Sequence, residues 1–227
     1  MHLHQFKARW LALVTAALFL LAGALVANLS SSPDVAILPL VAGESVRLAV
    51  FRMSPDAVRL SFNFPRLLGQ NRPELGDYAM TRGPGYIEFR SPGQPVVVKV
   101  QGPESTAEYE ALPASGYSNA YISRDFVVRE NDGNPSRFVW PPINAMRPVL
   151  PRGQSVITLT VVQVGAALSG ERVQAVIEPP LSFKSAMPGY GFLWWFFFWP
   201  VFAVPLAVYA AYLAWQTWAS RVGQNEA

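Results

Sequence analysis

Two stretches of this sequence carry no charge at all: Trp10 to Pro33 and Ser185 to Ser220. Each exceeds the roughly 20 apolar residues that a helix needs to cross a hydrocarbon core. Lys7 and Arg9 stand immediately before the first gap, and Arg221 follows the second. Between the gaps, 15 Lys and Arg residues nearly balance 14 Asp and Glu residues. The chain therefore reads as membrane segment, soluble domain, membrane segment. A charged fraction of 15%, against about 25% for ordinary soluble domains, agrees with part of it lying in lipid.

Residues 10–28 hold the run "WLALVTAALFLLAGALVA" and are expected to form a transmembrane helix. A basic start, an apolar stretch and "AGA" at Ala22 to Ala24 also fit a cleaved signal peptide, and a retained anchor is the preferred reading. Residues 189–219 form the second segment. As continuous helix they would span about 46 Å, more than the roughly 30 Å of a bilayer core, so tilt, a kink or an interfacial stretch is expected.

From Phe192 to Trp199 every residue except Leu193 is aromatic. No soluble core can pack such a run, because one side of any helix or strand would still face water. Phe, Trp and the nearby Pro200 and Pro205 place the block at a membrane interface, ahead of a spanning helix from about Val201 to Trp218. On an α-helix, Phe192, Trp195, Phe196 and Trp199 would share one face, while Trp194 and its neighbours fill the others. Membrane interface and helix packing are the roles expected of Phe192, Trp194, Trp195, Phe196 and Trp199.

The positive-inside rule puts both termini, residues 1–9 and 220–227, in the cytoplasm, and residues 34–184 outside it. The expected setting is a bacterial inner (plasma) membrane with a periplasmic or extracellular domain. Short linkers on either side, "LSSSPD" and "LSFKSAMPGYG", would hold that domain near the bilayer.

Within residues 34–184 the dominant period is two. "AVRLSFNF" puts Val58, Leu60, Phe62 and Phe64 on one face and polar residues on the other, as a half-buried strand does. "SVRLAVFR", "YIEFR", "VVVKVQ", "VITLTVV" and "RVQAVIE" behave likewise, and "AYISRDFVVR" does so with Arg124 interrupting its apolar face. Turn signals separate them: "RGPG", "SPGQP", "ASGYSN", "NDGNP" and "PRGQ". Some eight to ten short strands predict an all-β sandwich, immunoglobulin-like or jelly-roll, flanked by two transmembrane helices.

Residue chemistry narrows the function by exclusion. There is no cysteine, and the only histidines are His2 and His4, so the central domain has no Ser-His-Asp triad and lacks the usual zinc ligands. A net charge of +3 without a Lys/Arg-rich run argues against nucleic acid. "RENDGNPS" offers oxygen ligands around Gly133, but a hairpin turn at Asp132-Gly133 accounts for the same residues. Tyr117, Tyr121, Arg124 and Trp140 are the candidate contacts for a ligand or partner, since exposed rings stack on sugars or protein. The plainer reading makes Trp140 a core plug and the tyrosines ordinary strand residues.

No catalytic residues, cofactor or metal are expected. The expected role is a non-catalytic accessory or assembly subunit of a membrane complex, in contact with lipid and other integral membrane subunits. The alternative is a membrane-tethered glycan-binding module serving cell-surface polysaccharide production or export.

Overall fold

A computed structural model describes residues 2–66, 71–129, 136–141 and 147–225. The chain divides into two compact units. One is Pro33–Pro179, and the other joins Met1–Ser32 to Pro180–Ala227.

The central unit is built of antiparallel strands: β1 (Asp34–Pro39), β2 (Ser45–Arg52), β3 (Asp56–Ala57), β4 (Leu60–Pro65), β5 (Asp77–Gly83), β6 (Tyr86–Ser91), β7 (Val96–Gln101), β8 (Thr106–Tyr117), β9 (Tyr121–Val128), β10 (Arg137–Val139), β11 (Val149–Leu150), β12 (Gly153–Val164) and β13 (Arg172–Ile177). Eight of them form one sheet in the order β1-β13-β4-β9-β8-β7-β12-β2. Counted one to eight along the chain, these strands pair one with eight, two with seven, three with six and four with five. The chain is thus a two-stranded ribbon folded back on itself. The sheet curls until its edge strands β1 and β2 meet, leaving it nearly closed.

Alternation along each strand decides what fills the interior. Leu48 and Val50 of β2, Leu60, Phe62 and Phe64 of β4, and Ile157, Leu159 and Val161 of β12 point into one buried cluster. Phe62 meets Phe126 of β9 with ring centroids 4.6 Å apart. Each such side chain removed from water contributes about 1.5–3 kcal/mol.

A three-stranded sheet, β10-β6-β5, forms a second layer. Its Ile87, Phe89 and Phe138 pack on Leu112 of β8 and Val127 of β9, with Trp140 half-buried at the edge of the cluster. Trp140 therefore supports this outer layer and does not plug the interior of the main sheet.

The expected turn at 114–119 is largely strand, since β8 continues to Tyr117. Its register with β9 shifts between Ala111 and Ala114, and again between Ala114 and Gly116. Pro113 has no N–H for the ladder, and an inserted residue lets the strand pass it as a bulge. Two bulges break the period of two, and the small residues 113–116 then resemble a turn in sequence.

In the second unit, α1 (His2–Ser31) and α2 (Trp199–Asn225) are, among the described residues, the two helices long and apolar enough to cross a membrane. Between them, Gly191–Phe198 is a 3-10 helix. Its period of three replaces the α-helical face expected for the ring block, leaving Phe192 and Trp195 exposed and burying Leu193. Pro200 explains where the helix type changes, because a proline fits the first turn of an α-helix.

The rings are held in several ways. Trp194 Nε1 donates to the Phe183 carbonyl at 2.9 Å, and the Phe183 ring lies 5.9–6.0 Å from Trp194, Phe197 and Phe198. Phe196 meets Phe19 of α1 edge-on at 5.8 Å and lies over Gly23, where an added Cβ would fall 2.0 Å from its ring. Trp10 Nε1 donates to Thr217 Oγ1 at 3.3 Å. The segment read as a linker is folded too: Leu181 N–H donates to Ser30 O, and Leu181 and Tyr190 are buried.

Candidate functional site

A polar cleft of about 490 Å3 opens at one end of the main sheet. Arg66 follows β4, Asn71 and Arg72 lead into a short 3-10 turn (Pro73–Leu75), and Asp77 starts β5. Ser91 ends β6, and Tyr117 ends β8.

The floor depends on glycine. Gly76 has φ +79°, and a Cβ there would meet Ser91 O at 2.6 Å and Gly93 N at 2.8 Å. Only glycine allows the two backbones to approach so closely.

Two arginines frame the site in different ways. Arg72 grips Glu171 with both terminal nitrogens, at 3.0 and 2.7 Å, donates to Pro65 O at 3.1 Å, and bonds Glu74 through Nε. Burial would raise the Glu74 carboxyl, but its bonds to Arg72 and the backbone outweigh that and hold it below the usual range. Arg66 has no carboxylate within ion-pair distance among the described residues. Its Nη1 donates to Ser118 O at 2.7 Å, and its backbone N–H donates to Ala120 O at 2.8 Å. Arg66 thus ties β4 to the β8–β9 hairpin. Within that hairpin Ser118 Oγ accepts the Tyr121 N–H at 2.9 Å.

The residues singled out by sequence fall in different places. Tyr117, 63% exposed, lines the cleft. Tyr121 is half-buried, and its hydroxyl accepts from Gln174 Nε2 at 2.8 Å. Trp140 lies in the outer layer, and its backbone N–H donates to Gly85 O at 2.9 Å.

Arg124 is 1% exposed and serves the bulge. Its Nε donates to Leu112 O at 2.7 Å, and Nη2 to Ala111 O at 3.1 Å and Pro92 O at 3.4 Å. Nη1 donates to Gln94 O at 2.8 Å. Carbonyls displaced from the ladder around Pro113 find their donor here. Burial brings the guanidinium down to about 10, against the opposing pull of Glu110, so it stays charged at neutral pH.

The five membrane-segment candidates, Phe192, Trp194, Trp195, Phe196 and Trp199, all belong to the helical unit. Residues 130–135, the possible calcium loop, lie outside the described residues. Elsewhere, no group of three or more His, Cys, Asp or Glu suited to a metal stands together among the described residues.

Sequence reading passed over Arg66, Asn71, Asp77 and Ser91. One signal was present in "PRLLGQNRPELGD", which lacks strand or helix period yet concentrates arginine and amide between Pro and Gly. Comparison with models of known protein families, with characterised proteins and with solved structures finds no match to this chain.

Proposed function

We propose that the protein is a non-catalytic accessory subunit of a bacterial inner-membrane complex, anchored by α1 and α2, with its β domain outside the cytoplasm. Lys7, Arg9 and Arg221 support this orientation. The packing of α1 against the ring block and α2 supports a retained anchor over a cleaved leader. On this reading the curled sheet is a sandwich of jelly-roll type, and its folded-ribbon strand pairing is the supporting observation.

One observation carries the subunit role. Between α1 and α2 runs an apolar groove of about 610 Å3, with Ala17, Leu20 and Ala24 on one side and Ala203, Ala207 and Ala210 on the other. Small side chains let another helix approach closely, and close packing is what drives association within lipid. The groove fits a third transmembrane helix, supplied by a partner subunit. To test this, the groove is filled with the double substitution Ala24→Leu, Ala207→Leu, followed by purification in mild detergent. The expected result is an unchanged membrane fraction with loss of integral membrane partners that the unsubstituted chain retains. An unchanged partner set refutes the role.

A second reading, the glycan-binding module, is favoured by the cleft beside Tyr117. Its lining mixes an exposed ring with amide, hydroxyl, carboxylate and guanidinium groups.

A further inference from the structure

We infer that the cleft between Arg66, Asp77 and Tyr117 is a binding site for an uncharged saccharide, an inference that rests on the glycan-binding reading and specifies its ligand.

Volume, lining and charge each restrict the occupant. At about 490 Å3 the cleft lies within the range of small-ligand pockets, roughly 300–1,000 Å3. Its lining supplies donors from Arg66 and Asn71, acceptors from Asp77 and Asn71, and a hydroxyl from Ser91 that does both. Sugar hydroxyls also donate and accept, so a mixed set suits them better than it suits a purely anionic or purely apolar ligand. The Tyr117 ring provides the flat apolar face against which the C–H side of a pyranose packs.

Charge decides between neutral and acidic sugars. Two guanidiniums would ordinarily suggest a carboxylate or phosphate. Here Arg72 is already gripped by Glu171 and Glu74. That leaves Arg66 and Asp77, which are of opposite sign. With both glutamates counted, the site has no surplus of positive charge to offer an anion.

The frame is also preorganised. Arg66 is tied to Ser118 O, Arg72 to Glu171 and Pro65 O, and the Gly76 N–H to Pro73 O. That part of the frame needs no further ordering when a ligand binds.

The test is calorimetric titration of the full chain in a detergent without a sugar headgroup. The probes are neutral oligosaccharides of glucose, galactose, mannose and N-acetylglucosamine, and acidic oligosaccharides of hexuronate. Titrations at about 50 and about 500 mM NaCl separate charge-driven from neutral recognition. At least one neutral probe should bind with affinity nearly independent of salt. Tyr117→Ala and Asp77→Asn should each weaken it about tenfold or more, while Tyr86→Ala, outside the cleft, leaves it unchanged.

Binding of acidic probes alone, falling with salt, would overturn the neutral ligand and leave the glycan reading standing. Binding of neither class would remove both. A neutral probe whose affinity ignores Tyr117→Ala would place the site elsewhere and overturn the inference. A melting temperature unchanged in each variant shows that a lost affinity is not a lost fold.

Discussion

Arg52, on the last residue of β2, reaches Asp34, on the first residue of β1, with Nη1 3.4 Å from Oδ2. The pair bridges the seam where the curled sheet nearly closes, between edge strands that share no ladder hydrogen bonds. Arg52 also donates to the carbonyls of Phe51 and Glu178, each at 3.0 Å, and its Nε lies 3.7 Å from Asp56 Oδ2. At 3% exposure it is a buried cation with two carboxylates around it.

Removing that cation should open the seam. Arg52→Met leaves Asp34 and Asp56 without their counter-charge, and breaking a buried pair this way costs about 3–5 kcal/mol. The loss should appear as a lower melting temperature of the full chain in micelles. Adding Asp34→Asn and Asp56→Asn should recover most of it, because the residual cost is that of unpaired charge. A triple variant as unstable as Arg52→Met alone would show that packing, and not charge, holds the seam.

Stability should peak on the acid side of neutrality. Burial pushes the Asp34 and Asp56 carboxyls above their ordinary value of 3.8, and Arg52 pulls them back only in part. Burial and the nearby Asp125 push Glu178 above 4.5, against Arg59 and Arg147. Between those unfolded values and the raised folded ones, the folded chain holds more protons than the unfolded chain. Stability therefore falls as pH rises through that window. Glu74 acts the other way: its contribution is present above 4.5 and is lost as pH falls through its lowered folded value. Melting temperatures from about pH 4.5 to about pH 8 should decline, and Glu178→Gln should flatten the decline. A steady rise over the same range would contradict this account.

Arg124 is expected to be irreplaceable by lysine. Its fork reaches carbonyls of both β8 and the loop at 92–94, and an ammonium is a single point charge. Arg124→Lys and Arg124→Met should both cost about 3 kcal/mol or more, on the order of 6–12 °C in melting temperature. Full stability in Arg124→Lys would mean that those carbonyls find other donors.

Gly23 should be sensitive to size. Gly23→Leu drives a side chain into the Phe196 ring, an overpacking that costs about 1–3 kcal/mol. Phe196→Ala on top of it should restore part of the loss by returning the space. If Gly23→Leu melts like the unsubstituted chain in micelles, α1 and the ring block do not depend on that contact.

Much of the fold was legible because local pattern and tertiary environment agree. Ser45–Arg52 alternates, Val96–Gln101 is a short valine-rich run ending in alternation, and both became strands with those bounds. The two uncharged stretches became the two long apolar helices. The reading failed where tertiary contacts overrode the local pattern. The end of β8, from Ala114, looked like a turn because its bulges, stabilised by Arg124 from the next strand, interrupt alternation. β1 was missed as well: it is short, and it takes its ladder partner from β13, far along the chain.

The candidate site was less legible still. Tyr117 could be named from sequence, since an exposed ring near a turn is a local property. Arg66, Asp77 and Ser91 could not be grouped with it, because three different strand ends bring them together.

By itself the sequence determined which segments are long, apolar and uncharged and which stretches alternate as strands, since hydropathy and side-chain period act over a few residues. Tertiary structure alone decided that the sheet curls on itself, that Arg124 turns inward to satisfy displaced carbonyls, and that a cleft forms beside Tyr117. Those outcomes depend on pairings between residues far apart in sequence, and no local pattern encodes which distant partner a strand will find.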